Sequence, residues 1–238
     1  MRKIFILLVL SLTFLNTTVA LAAEDSKKKA SEYIYSAEDY ERSGELEKAL
    51  EYYSKAIDVD GKNTFALYKR AALYFKTGET TKAINNYTSI IKLKPQADAY
   101  LNRGVAYYRL TDFPRALADY NAALKLDKNN ISALFNRGVL HHKIKEHENA
   151  IADFSEIIDL QPENSRAYII RAGFYFELSD YKKALKDCSK AIEIDPEAIA
   201  YYHNRAEVYR RLGRAKDAEV DDVKAQYLLR KESEKNAE

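Results

Sequence analysis

Few residues in this sequence have the types and spacing that chemistry requires. His141, His142 and His147 are the nearest approach to a set of metal ligands. Their places in the helical periodicity described below set them apart. His141 falls on a core ring position and His147 at a turn where Phe113 and Tyr181 stand elsewhere, so only His142 projects away from the core. Three directions do not make one site, and packing is the expected role of these rings, with no metal and no cofactor. Cys188 is the only cysteine. It excludes an intrachain disulfide and, standing where other units carry a core ring, is expected to be a buried, inert thiol. There is no Gly-rich phosphate loop, no HExxH and no isolated carboxylate pair suited to general acid and base. The acidic residues lie among lysines along helix faces, the pattern of a solvated surface. No catalytic residue is assigned, and an enzyme is not expected.

One charged pattern is regular. Arg103, Arg137, Arg171 and Arg205 are each followed sixteen residues later by an acid: Asp119, Asp153, Asp187 and Asp221. Arg70 is followed at the same interval by Asn86, and the first unit has Ser36 and Tyr52 at these places. Arginine and acid thus come and go together. A structural bridge is expected, joining the two helices of a unit or adjacent units and partly buried, as a paired charge can be. Independent solvation of the two charges is the alternative.

The elements that would hold these residues follow from a repeat. Ala49, Ala83, Ala116, Ala150, Ala184 and Ala218 recur at intervals of 33 or 34, and such a period marks a repeat architecture. Twelve residues before each stands a small residue: Ala37, Ala71, Gly104, Gly138, Ala172 and Ala206. A ring follows three places on, at Tyr40, Tyr74, Tyr107, His141, Tyr175 and Tyr209. After each anchor alanine, Tyr53, Tyr87, Tyr120, Phe154, Cys188 and Asp222 come at the fourth place. Spacings of three and four are the helical period, so each unit holds two amphipathic helices. Turns are expected at Gly44, Gly78, Thr111, Lys145, Ser179 and Gly213. Pro95, Pro162 and Pro196 fall between units, and Pro114 falls in the first turn of a helix, where it is tolerated.

This pattern resembles the tetratricopeptide repeat, in its small-x2-aromatic…Gly…Ala-x3-aromatic-x2-Ala…Pro form. The stretch Ala97–Asn130, ADAYLNRGVAYYRLTDFPRALADYNAALKLDKNN, fits it nearly position for position. The resemblance implies an all-α, right-handed α-solenoid of six helix-turn-helix repeats over 30–231: 30–63, 64–96, 97–130, 131–164, 165–198 and 199–231. A polar lead-in occupies 24–29 and a polar tail 232–238. In this family the first helices line a concave face, so a second stripe is expected to face a groove. It comprises Tyr68, Phe75, Leu101, Val105, Tyr108, Phe135, Val139, Ile169 and Phe176. Lys76, Arg109 and Lys143 would form a basic rim, and the amides of Asn102 and Asn136 suit an extended peptide backbone. The implied partner is a protein or peptide with apolar anchors and some acidic residues. Generic covering of the superhelix by these rings is the competing account. The paired Lys and Asn with which some family members grip a C-terminal carboxylate are replaced here by Tyr68/Ala72, Leu101/Val105, Phe135/Val139 and Ile169/Gly173.

Composition and the N-terminus complete the reading. Seven glycines and four prolines among 238 residues favour long helices. Arg2 and Lys3 precede an apolar run from Ile4 to Leu15, and Ala20-Leu21-Ala22-Ala23 closes it. Residues 1–23 read as a cleavable secretory signal, followed by a secreted or periplasmic chain with no stable membrane span. Cleavage removes two of the 38 basic residues and leaves 36 against 36 acidic ones. That neutrality argues against nucleic acid as a partner. An adaptor or scaffold is the first expectation. A non-catalytic accessory subunit of an envelope enzyme and a self-associating oligomer are the alternatives.

Overall fold

The structure, a computed structural model, describes residues 24–235. The signal expected over 1–23 and the last three residues of the polar tail lie outside the described residues. The described residues contain twelve helices and no strand. Residues 24–42 form α1, and then come α2 (Leu46–Val59), α3 (Thr64–Lys76), α4 (Thr80–Leu93), α5 (Ala97–Arg109) and α6 (Phe113–Leu126). After these follow α7 (Ile131–Lys143), α8 (His147–Leu160), α9 (Ser165–Glu177), α10 (Tyr181–Ile194), α11 (Ile199–Arg211) and α12 (Ala215–Lys235). The lead-in is part of α1, and residues 232–235 of the tail extend α12. No described helix is long and apolar enough to cross a membrane.

The helices fall in pairs joined by a three-residue turn. The turn residues Gly44, Gly78, Thr111, Lys145, Ser179 and Gly213 all have positive φ. The chain there closes as a Schellman turn: in the fourth pair Glu146 N–H donates to His141 O at 2.8 Å and Lys145 N–H to His142 O at 3.0 Å. Thr111, Lys145 and Ser179 hold this left-handed conformation with a side chain present, at a cost of about 1–2 kcal/mol. Between pairs, the carboxamides of Asn63, Asn130 and Asn164 accept from the N–H groups of Ala66, Ala133 and Ala167 at 2.9–3.0 Å. These caps satisfy donors that the following helix leaves open.

The chain forms two compact units that divide within α6, after Ala116. In the first, α1 and α2 bury Ala30, Ile34, Ala37, Ala49, Tyr53 and Ala56, and α3 to α5 add Leu67, Ala71, Ala83, Tyr87, Ile90 and Ala99. In the second, each of α7 to α12 packs on its neighbours in the chain, and α9 also meets α11. Gly138 shows why the small position is small. A Cβ there would lie 2.8 Å from Cε2 of the fully buried Phe154 ring and 3.2 Å from Asp153 Cβ. The last pair departs from the others: Asp222 stands at the ring position, is half-buried, and is paired with Arg210.

Candidate functional site

Three of the four Arg–Asp pairs lie inside the second unit and are in contact. Arg137 Nε donates to Asp153 Oδ2 at 3.0 Å and Nη2 to Oδ1 at 2.5 Å. Arg171 holds Asp187 at 2.7 and 2.9 Å, and Arg205 holds Asp221 at 2.8 and 2.7 Å. Each is a two-bond fork between the first and second helix of one pair. The aspartates are buried. Hydrogen bonding to Asp221 holds the Arg205 guanidinium more firmly protonated than usual. In the first unit, Asn86 takes the acid's place and accepts from Arg70 at 3.0 and 2.9 Å. Arg103 donates to Thr88 Oγ1 at 3.0 Å, and Asp119 is buried.

The arginines also reach backwards to the adjacent pair, through neutral partners that the sequence reading did not name. Their third nitrogen donates to the second helix of the preceding pair: Arg70 to Ser54, Arg137 to Asn121, Arg171 to Ser155 and Arg205 to Ser189, at 2.8–3.4 Å. Arg103, Arg171 and Arg205 also lie 5.6–5.9 Å from rings three places before and four after: Tyr100 and Tyr107, Tyr168 and Tyr175, Tyr202 and Tyr209. Such contacts are within cation–π range. The small hydroxyl or amide sixteen residues before Arg70, Arg137, Arg171 and Arg205 was the available signal. One guanidinium therefore ties three helices.

The second stripe is partly open. In the first unit, Tyr68 is 36% exposed, and its hydroxyl accepts from Asn102 Nδ2 at 2.9 Å. Burial raises the pKa of that phenol. Val105, Tyr108 and Phe75 are half-buried, Lys76 is exposed, and Leu101 is buried. Arg109 is not a free rim charge: it lies 4.8 Å over the Phe75 ring and donates to Phe75 O at 2.7 Å. In the second unit, Phe135, Asn136, Val139, Ile169 and Phe176 are half-buried and Lys143 is exposed. Asn136 Nδ2 donates to Ser132 O at 2.7 Å, as Asn102 does to Asp98 O.

Two clefts open along this stripe in the second unit. One, of about 280 Å³, lies between α7 and α9 and includes Phe135, Asn136, Ile157 and Arg166. The other, of about 250 Å³, lies between α9 and α11 and is lined by Ile169, Gly173, Phe176, Asn204, Val208 and Cys188, with Glu177 and Glu207 also on it. A Cβ built on Gly173 meets nothing within 4 Å, so the missing side chain leaves open space. Cys188 is 1% exposed, and burial pushes its thiol pKa up to about 12. It is an apolar part of the lining and not a nucleophile.

The histidines are not arranged as the sequence suggested. His141 Nδ1 lies 2.6 Å from Glu146 Oε2. Asn149 and then His141 hold the Glu146 carboxyl below the usual range. His142 and His147 come together, with ring centroids 5.4 Å apart, and both face Glu177 at the end of α9. Treating the two helices as separate stripes hid this. A Schellman turn places the last turn of one helix and the first residue of the next side by side.

Repeat models bear on the whole arrangement. Two models described as tetratricopeptide repeats match the chain, the first over 36–98, 68–131 and 101–165 and the second over 165–198. The chain belongs to the tetratricopeptide repeat family. Among solved structures it is similar to a tetratricopeptide repeat protein from Parabacteroides merdae ATCC 43184, at 24% identity and a TM-score of 0.70, covering 82% of this chain and 77% of that one. MamA from Desulfovibrio magneticus RS-1 aligns at 23% identity and 0.65, covering 71% and 97%. YrrB, described as a TPR protein with an unusual peptide-binding site, aligns at 24% and 0.63, covering 77% and 95%. None of the curated proteins is significantly similar to the chain in sequence. At these identities the likeness bears on the fold alone. A tetratricopeptide array is a scaffold of the kind that serves protein–protein interaction and peptide binding.

Proposed function

We propose that the protein is an exported, non-catalytic adaptor that binds an extended polypeptide along the second stripe, with an apolar side chain of the partner seated between α9 and α11. The observation that carries this is the cleft at Gly173: apolar walls from Ile169, Phe176 and Val208 around space that no side chain of the unit fills. Burying one leucine- or phenylalanine-sized anchor there contributes about 1.5–3 kcal/mol. Asn136 and Asn204 stand on the two clefts with carboxamides that suit the backbone of a bound strand. Arg2, Lys3 and the apolar run to Leu15 support export. A peptide chosen from a displayed random library on the folded chain tests the reading. Gly173→Trp places an indole in the cleft and is expected to weaken that peptide by about tenfold or more, the equivalent of one lost anchor. Glu219→Ala, on the exposed side of α12, is expected to leave it unchanged. Peptides that bind the Gly173→Trp protein as well as the parent contradict the proposal.

A further inference from the structure

Rings close the ends of successive hairpins. Tyr108 meets Phe113 at 5.6 Å and Phe176 meets Tyr181 at 5.3 Å, each pair five residues apart across the turn. In the fourth hairpin both members of the pair are imidazoles, His142 and His147. A second column changes at the same place. The residues that follow this ring position read Arg42, Lys76, Arg109, Lys143, Glu177 and Arg211 through the six repeats. Arg109 and Arg211 lie over the carbon rings of Phe75 and Phe176 of the preceding hairpin, at 4.8 and 5.4 Å. A cation suits the face of a carbon ring. The one acid in the column, Glu177, is the one that stands beside the two imidazoles.

The polar atoms there are left over. Nδ1 of His142 and Nδ1 of His147 are buried and have no hydrogen-bond partner. Leaving such atoms unpaired is costly, and native structures rarely do so without a reason. Both nitrogens face the same oxygen, Oε2 of Glu177, at 3.5 and 3.6 Å. Those separations are too long for good hydrogen bonds. They are close to the spacing of two donors on one tetrahedral ion, about 3.4 Å for bonds of about 2.0–2.2 Å. One nitrogen from each ring and one carboxylate oxygen all lie within 4.8 Å of one another. Two imidazoles and a carboxylate form a donor set for zinc and its late-transition neighbours, and are a poor one for calcium or magnesium.

We propose that His142, His147 and Glu177 bind a divalent transition-metal ion of the zinc class. Three protein ligands leave a coordination position open for water or for a donor atom from a bound chain. The ion ties the α7–α8 turn to the end of α9. Because Glu177 also lines the α9/α11 cleft, the ion stands at the edge of the proposed peptide site, although the metal site itself does not depend on that reading. His203 and His141 belong to other surroundings, the latter engaged by Glu146, and the buried Cys188 thiol is no competitor.

The test uses the chain without any histidine tag. Zinc is titrated in competition with a chromophoric chelator, and cobalt binding is followed by its visible absorption. One equivalent is expected to bind. The double variant His142→Phe/His147→Tyr installs the carbon rings found in the next hairpin, so the packing persists while the donors are lost. Glu177→Gln keeps the shape and removes the charge. Each is expected to lower zinc affinity by about tenfold or more, with unchanged helical circular dichroism, whereas His203→Ala leaves it intact. Zinc is also expected to raise the melting temperature of the parent and not of the double variant. Failure of the parent to bind one equivalent at micromolar zinc overturns the proposal and leaves an imidazole–carboxylate contact only. So does equal binding by the parent and the double variant.

Discussion

Truncating either end of the Arg137–Asp153 pair is expected to destabilise the second unit unequally. Asp153 is 3% exposed, whereas the Arg137 side chain is 23% exposed and continues to Asn121 at 2.8 Å. Arg137→Ala strands a carboxylate in the interior, with its bidentate donor gone. Breaking a buried pair in this way costs about 3–5 kcal/mol, and the partial exposure of the arginine puts this case at about 3. Asp153→Ala leaves a guanidinium that can turn toward water, so it costs only the charge-assisted hydrogen bonds, about 1.5–3 kcal/mol. Asp153→Asn is milder still, at about 1 kcal/mol, because Arg70 and Asn86 already make the amide version of the contact at 3.0 and 2.9 Å. The double alanine variant is expected to show about 2 kcal/mol of coupling. Urea denaturation of the parent and the four variants measures these values, and amide exchange in α7 and α8 reports the local loss. The coupling is also expected to survive high salt, since a buried pair is little screened. Additive losses, or an Asp153→Ala variant weaker than Arg137→Ala, refute the reasoning.

Other consequences are as direct. Lys145 holds φ at 68°, so Lys145→Gly is expected to stabilise by about 1 kcal/mol, measured by thermal denaturation; Gly78→Ala, at φ 89°, moves the other way by at least about 1 kcal/mol. Gly173→Ala and Gly138→Ala both gain about 1 kcal/mol of helix propensity. Only the second drives a methyl group into the Phe154 ring, at a cost of about 1–3 kcal/mol. The first is expected to melt higher than the parent, and the second no higher or lower; equal gains contradict the account of close helix approach. Cys188, with its thiol pKa near 12, is expected to resist aromatic disulfide reagents in the folded chain and to react fully in concentrated guanidinium chloride. Rapid labelling of the native protein contradicts its burial.

Much of this fold is legible from spacing, because a repeat tests its own reading six times. Anchor alanines such as Ala49 and Ala184 are fully buried, and the six turn residues chosen by register alone all have positive φ, including Thr111, Lys145 and Ser179, whose residue types give no such signal. The sixteen-residue interval between arginine and aspartate is a sequence-local fact, and it became contact because one hairpin joins both ends. What spacing could not show is contact between hairpins. The backward bonds from Arg137 to Asn121 and Arg171 to Ser155 depend on how neighbouring pairs stack. So does the meeting of Glu177 with His142 and His147. The periodic stripe assigned those two rings to different helices and different directions, while the turn geometry brings them to one point. The stripe itself identified Ile169 and Phe176, but not that Gly173 between them leaves a cleft. An absent side chain gives no hydrophobic signal.

The central claim is that the space beside Gly173 receives a side chain from another polypeptide. Isotope-labelled chain titrated with a library-selected peptide, read by amide chemical shifts, tests it most directly. The account predicts saturable shifts concentrated on Ile169, Gly173, Phe176, Asn204 and Val208, and abolished in Gly173→Trp. Shifts confined to the outer faces of α10 and α12, or undiminished by the indole, contradict it.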